Sequence, residues 1–281
     1  MRNISAKTIT STVAGLCIKA CCQLPDDVAR LLDLALQNEP SPVGKDILSQ
    51  LITNATLAST ESMPICQDTG LAVIFADLGQ DLRITDGDFA EAVHEGVRLG
   101  YTSGFLRKSV VKDPLFDRSN TTDNTPAVIH LRLVPGDRLS LRMAPKGAGS
   151  ENKSQLAMLT PADGLAGVKD AVLKAVIKAG PDACPPYIVG VGIGGNMETA
   201  CLCAKKACMR DVAIANPHPR YAALEAELLE LVNKTGIGPQ GLGGKTTALA
   251  VNVEWLPTHI ACLPVAVNIN CHAARHAVAV L

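Results

Sequence analysis

Apolar positions recur at helical spacing through much of residues 7–60, then give way to shorter apolar runs of strand character. Pro25-Asp26-Asp27 opens one helical stretch with apolar residues at Val28, Leu31, Leu32, Leu34 and Ala35; its two acids stand where the helix dipole favours negative charge. Pro40-Ser41-Pro42-Val43-Gly44 interrupts the pattern, which resumes over 45–57. The run 71–78 is rich in β-formers and predicts a buried strand. Residues 86–100 predict a helix with Phe89, Ala92, Val93, Val97 and Gly100 available for one face.

Residues 107–125 are polar and turn-rich, and a stretch of this length without periodicity reads as a functional loop. Strands are expected at 127–134 and 138–143, joined as a hairpin by Pro135-Gly136-Asp137. A glycine-rich loop, Lys146-Gly147-Ala148-Gly149-Ser150-Glu151-Asn152-Lys153, follows. Beyond it, helices are expected at 167–179, 197–209 and 220–234, with strands at 187–191, 248–253 and 265–269 and strand-like sequence at 212–215. The mixture predicts an α+β (mixed α/β) fold of mixed sheets packed with helices. No domain boundary, internal repeat or low-complexity segment is visible.

The 281 residues, 47% of them hydrophobic, suffice for one large core or two modest ones. A formal charge of -1 argues against nucleic acid as a partner, and 3% aromatics leaves few platforms for stacked bases. No apolar run is long enough for a membrane span and no signal peptide is evident, so a cytoplasmic protein is expected. Ten irregularly spaced cysteines then imply a reducing compartment, where thiols are free, catalytic or metal-bound.

Two glycine motifs invite nucleotide readings. Gly190, Gly192 and Gly195 match the dinucleotide fingerprint between a strand and a helix, but no repeating βαβ units precede them. The simpler reading is a tight strand-to-helix turn. Gly241-Leu242-Gly243-Gly244-Lys245-Thr246-Thr247 ends like a phosphate loop, yet Pro239 stands where that motif needs glycine. A loop whose amides face some anion remains reasonable. Cys201, Cys203 and Cys208 fall in a predicted helix and read as small buried hydrophobes, as do Cys17, Cys21, Cys22 and Cys262.

Cys66, Cys184 and Cys271 differ in kind. Each lies in a turn-forming context, and each has neighbours suited to carboxylic-acid chemistry: Gln67 and Asp68 beside the first, His272, Arg275 and His276 after the last. Three distant thiolates suit a cluster that leaves one iron without a protein ligand, a Lewis acid rather than an electron carrier.

The strings PICQDTG, APKGAGSENKS, CPPYIVGVGIGG, GIGPQGLGGKTT and LPVAVNINCHAARH together resemble the alpha subunit of the class I, iron–sulfur-dependent fumarate hydratases, in order from about residue 25 onward. The related tartrate dehydratase alpha subunit shares the cysteine frame, while the wording of GLGGKTT and NINCHAARH is closer to the fumarase branch. The resemblance implies a fold like the N-terminal catalytic domain of that family: one domain over 1–281, helical to about residue 60, with cluster and substrate sites beyond. It implies a [4Fe–4S] cluster on Cys66, Cys184 and Cys271, with one iron lacking a protein ligand. It maps substrate binding to Gln67, Asp68, Arg107, Gly149, Asn152 and Lys153, and acid–base catalysis to His259 beside Asp68. Further contacts in this family come from a second domain, so a separate beta subunit is expected to complete the site.

The expected reaction is reversible hydration of fumarate to (S)-malate. The rivals are dehydration of L-tartrate or another hydroxy-diacid, a non-catalytic cluster-carrying subunit, and a nicotinamide-dependent dehydrogenase.

Overall fold

The computed structural model describes residues 2–281. In chain order the elements are β1 (Arg2–Ser5), α1 (Ala6–Cys22), α2 (Asp26–Asn38), α3 (Pro42–Thr60), β2 (Leu71–Gly79), β3 (Leu82–Thr85), α4 (Phe89–Ser103), β4 (Val128–Val134), β5 (Leu139–Lys146), α5 (Ala148–Glu151), β6 (Gln155–Leu159), α6 (Gly164–Ala179), β7 (Tyr187–Gly194), α7 (Met197–Ala207), α8 (Pro219–Asn233), β8 (Ala248–Leu256), β9 (Leu263–Asn270) and β10 (Ala277–Val280). They form a mixed α/β structure, and no helix among the described residues is long and apolar enough to cross a membrane. The chain divides into two compact units that interleave along the sequence. One holds residues up to Pro25, Ala55–Ala148 and Arg275–Leu281; the other holds Asp26–Asn54 and Gly149–Ala274.

In the first unit, a four-stranded sheet in the order β10-β5-β2-β4 carries α1 and α4. α1 starts at Ser5, whose hydroxyl accepts the Thr8 amide at 3.2 Å, and buries Ile9, Val13, Leu16, Cys17 and Ala20 along one stripe. α4 starts at Asp88, which accepts the Glu91 amide at 3.0 Å. Its Gly96 and Gly100 bring the two helices close: a Cβ on Gly96 would stand 2.6 Å from Val13 Cβ, and one on Gly100 2.8 Å from Ala14 O. Ile74, Leu139, Leu141, Met143 and Tyr101 complete this core.

In the second unit, the sheet order is β6-β9-β7-β8, with β8 parallel and β9 antiparallel to the fully buried β7. The pleat sorts the side chains of β7. Val189, Val191 and Ile193 join Val172, Val176, Leu224 and Leu228 of α6 and α8 in one core. Gly190 and Gly192 face α7, where a Cβ would meet Ala204 O at 2.1 Å and Ala200 O at 2.0 Å. The glycine fingerprint thus serves helix-on-strand packing. The start of α7 is closed by its own chain, with Asn196 Oδ1 accepting the Thr199 amide at 3.0 Å and Thr199 Oγ1 accepting the Asn196 amide at 2.8 Å.

One expected pairing is overturned. β4 and β5 do not form a hairpin; β2 lies between them, parallel to β4 and antiparallel to β5. The 135–137 turn folds over the end of β2, where Gly79 N donates to Arg138 O at 2.8 Å and Gln80 N to Val134 O at 2.9 Å. The apolar β2 takes an interior position of the sheet, and a local turn signal carries no information about a third strand inserted from elsewhere. Residues 212–215, strand-like in sequence, form a turn.

Replacing Gly192 by Ala should lower stability by about 1–3 kcal/mol, because α7 must lift from β7 to admit the methyl group. A fall in the urea midpoint, against an unchanged or slightly raised midpoint for Gly15→Ala measured alongside, checks the packing role; Gly15 lies in α1 with open space around it.

Candidate active site

In the first unit, the segment after Cys66 is held carbonyl by carbonyl. Arg275 Nη2 donates to Asp68 O at 2.8 Å, the Tyr101 hydroxyl to Thr69 O at 2.6 Å, and Asn124 Nδ2 to Gly70 O at 3.1 Å. The Thr69 hydroxyl donates to Arg107 O at 2.9 Å, which fastens the start of the 107–125 loop to the same segment. The Asp68 carboxylate is oriented by two backbone amides: Gly70 N donates to Oδ1 at 2.9 Å and Ala148 N to Oδ2 at 2.8 Å. Gly147 makes room for this, since a Cβ there would stand 3.1 Å from Oδ2. A carboxylate oxygen accepts in two directions, so each keeps one for a further donor. Gln67 and Arg107 are exposed, Cys66 is half-buried, and the Arg107 guanidinium has no ion-pair partner among the described residues.

In the second unit, Cys184 and Cys271 belong to loops fastened together at one end of the sheet. His272 N donates to Cys184 O at 3.0 Å, while the Gln240 backbone and side-chain amides both donate to Pro185 O, at 2.8 and 2.7 Å. Gln240 Nε2 also lies 3.1 Å from His272 Nδ1. Cys184 and Gln240 both adopt left-handed backbone, with φ of 53° and 51°. For residues other than glycine this costs about 1–2 kcal/mol each, and such strain gathers at functional sites. Cys184 is exposed and Cys271 half-buried.

The glycine-rich 146–153 loop crosses the boundary between the units. In the second unit, Lys153 pairs with Asp182 at 2.6 Å, and Gly149 and Asn152 are exposed. Glu151 pairs with Lys205 and accepts from Asn268 Nδ2 at 3.1 Å; the same amide group donates to Ser154 Oγ at 2.8 Å. The stretch carrying Asn152 and Lys153 is therefore braced from α7 and β9.

His259 lies elsewhere. It sits in the exposed turn between β8 and β9, its Nδ1 accepting the Ala261 amide at 3.2 Å. β9 runs from that turn to the end where Asn270 pairs with Ile188, beside the cysteine loops. Its eight residues separate the two ends by roughly 24 Å. β9 thus places His259 at the end of the sheet away from Cys184 and Cys271.

The reading of the remaining cysteines as buried packing residues holds for Cys17, Cys21, Cys22 and Cys208, fails for the exposed Cys201, and holds only in part for the half-buried Cys203 and Cys262. Cys17, Cys21 and Cys22 are buried on α1; burial pushes the Cys21 thiol up to about 12, with the Arg275 guanidinium pulling the other way. Cys208 is buried with its sulfur 3.2 Å from Asn268 O, whereas Cys201 is exposed. No disulfide joins any of the ten cysteines among the described residues. Nor does any group of three or more His, Cys, Asp and Glu side chains among them gather to hold a single metal ion. A cubane makes a different demand, because each thiolate binds its own iron. The donors that such a cluster would use divide between the units, with Cys66 in one and Cys184 and Cys271 in the other.

The 241–247 loop does face an anion, and that anion is Glu39. Its carboxylate, only 1% exposed, accepts Lys245 N at 2.8 and 3.0 Å, Thr246 N at 2.9 Å and Ser41 N at 3.2 Å. Gly244, at φ 126°, permits the close approach; a Cβ there would stand 2.8 Å from Glu39 Oε1. Neither Glu39 nor Asn124 nor Tyr101 carried a sequence signal, since each acts on backbone atoms far away along the chain.

The profile of the fumarate hydratase (fumerase) family matches residues 10–280. The chain is 38% identical over 275 residues, 96% of both chains, to a putative L(+)-tartrate dehydratase subunit alpha of Methanocaldococcus jannaschii. It is 32% identical over 271 residues to the L(+)-tartrate dehydratase subunit alpha of Escherichia coli strain UTI89, covering 95% of this chain and 88% of that one, and 31% identical to its counterpart in strain K12. A mixed α/β enzyme of the hydro-lyase class accounts for the fold and these matches together. The chain belongs to the fumarate hydratase (fumerase) family, and membership supports an iron–sulfur cofactor.

Burial alone would raise the Glu39 carboxyl, but the amides of Lys245, Ser41 and Thr246 outweigh it and hold it below the usual carboxylate range. A lowered folded value contributes stability that is complete above the unfolded value of about 4.3 and drains as pH falls below it. Glu39→Gln should lose roughly 1.5–3 kcal/mol at neutral pH and flatten that acid limb, as read by urea titrations between neutrality and mild acid.

Proposed function

We propose that this chain is the alpha subunit of an iron–sulfur hydro-lyase that dehydrates L(+)-tartrate, and that a separate beta subunit completes its active site. The observation that carries the reading is similarity to tartrate dehydratase alpha subunits along nearly the whole length of both chains. Removal of one hydroxyl and the proton on the neighbouring carbon, together as water, converts 2,3-dihydroxybutanedioate to an enol, which tautomerises to 2-oxobutanedioate. The hard step is taking a proton beside a carboxylate, because charge builds on that carboxylate.

Cys66, Cys184 and Cys271 would hold the cluster, a [4Fe–4S] centre with one iron lacking a protein ligand; the soft thiol donors and the two fastened loops suit it. When bound, such a centre supplies a Lewis acid toward the departing hydroxyl. The chain's own residues do the rest. Arg107 and Lys153 bind the two carboxylates, Arg107 with a fork matched to a carboxylate edge. For Lys153, the substrate carboxylate takes the place of Asp182, its partner in the free chain. Gln67, Asn152 and the Gly149 backbone orient the diacid. Asp68, aimed by the amides of Gly70 and Ala148, carries the proton at its carboxylate oxygens. Within this chain the acid–base assignment rests on Asp68, given where His259 lies.

A second reading, interconversion of fumarate and (S)-malate, is favoured by the description of the matched family itself. The two diacids differ by one hydroxyl, so the same carboxylate contacts serve either.

Anaerobic reconstitution with the beta subunit should give kcat/KM for L(+)-tartrate at least about tenfold above that for malate or fumarate, a gap of about 1.4 kcal/mol. The reverse ratio would establish the fumarate reading, and no turnover of any of the three would remove both. Cys66→Ser, Cys184→Ser and Cys271→Ser should each abolish activity and lower bound iron. Arg107→Ala should cut kcat/KM about 10–100-fold, mainly through KM, with iron content unchanged.

A further inference from the structure

We propose that Arg275 is a positioning residue for the reaction: it fixes the Asp68 peptide and so aims the carboxylate that carries the proton. The inference rests on the reading of Asp68 given above. Arg275 is only 3% exposed, and its one hydrogen bond to the segment runs from Nη2 to Asp68 O at 2.8 Å. Its Nε and Nη1 are buried without a protein acceptor, and no carboxylate pairs with it among the described residues.

That arrangement is a poor way to stabilise a fold. A buried guanidinium gives up its hydration, and an apolar side chain of similar volume would fill the space without that loss. The neighbours compensate only in part. The guanidinium lies close enough to Cys21 and Cys22, the last residues of α1, to act on both thiols, and a helix C-terminus favours a cation. What an apolar replacement could not supply is the donor to Asp68 O.

Thr69 O and Gly70 O have their own anchors in Tyr101 and Asn124. Among the described residues, Arg275 supplies the side-chain donor to the carbonyl of the proposed proton carrier, Asp68 O. Both groups flank Gly147 without pairing: a Cβ there would stand 3.1 Å from Asp68 Oδ2 and 3.9 Å from Arg275 Nη2. A residue that breaks burial rules at such a place is there for geometry rather than stability.

The test compares Arg275→Met and Arg275→Lys with the wild-type alpha–beta holoenzyme in thermal midpoint, kcat, KM and amide exchange at residues 68–70. Arg275→Met should keep or raise the midpoint, speed exchange at 68–70 by about tenfold, and lower kcat by roughly 10²-fold with KM nearly unchanged, the pattern of a misaimed reacting group. Arg275→Lys keeps the charge but not the planar fork; it should fold, with kcat reduced by about tenfold. Wild-type kcat and exchange in the Lys variant would overturn the proposal even if the Met variant failed to fold. So would a Met variant whose midpoint falls by several degrees while kcat per folded molecule holds. If the wild-type holoenzyme turns over no hydroxy-diacid, the functional reading fails, and exchange at 68–70, which needs no substrate, still decides whether Arg275 fixes the peptide.

Discussion

Backbone amides turned toward carboxylates of the chain's own are the interaction on which this structure most depends. Asp68 takes amides from Gly70 and Ala148; Glu39 takes them from Ser41, Lys245 and Thr246. In both places a glycine-rich loop, which could not bury its amides unpaired, closes around an internal anion. The two carboxylates then part company. Glu39 is fully enclosed and makes a rigid joint, whereas Asp68 is only half-buried and retains acceptor directions for chemistry.

The cysteines divide along a similar line. Those on α1 are sunk in apolar surroundings that keep the thiol protonated and inert. Cys66, Cys184 and Cys271 sit on loops with at least partial access to solvent, and the last two are held by a hydrogen-bonded clasp through Gln240 and His272. If the two serve as the proposed donors, holding them still beforehand reduces the ordering that binding must otherwise supply.

Much of this was legible in sequence because it is local. Helix starts at Asp26 and near Asp88, the buried β2, and the strand-to-helix turn at Gly194-Gly195 all follow from neighbouring residues. The loop identity of Cys66, Cys184 and Cys271 was also readable from flanking proline, glycine and asparagine. What escaped was non-local. β2 inserts between two strands that a tight turn connects, and the partners of Asp68 and Glu39 lie 80 and 206 residues away. His259 shows the same limit. It stands twelve residues before Cys271 in sequence, yet β9 runs straight between them and carries it to the other end of the sheet.

The Glu39 joint also bears on how the protein is made. Its Lys245 and Thr246 amide donors emerge from the ribosome some two hundred residues after the carboxylate that accepts them. At the ordinary pace of translation, about 5–20 residues per second, that interval lasts on the order of ten seconds or more. Through it, the Glu39 carboxylate has only the Ser41 amide among its final partners. The second unit thus closes late, and a nascent chain halted before residue 245 lacks the Lys245 and Thr246 amides that complete the Glu39 joint.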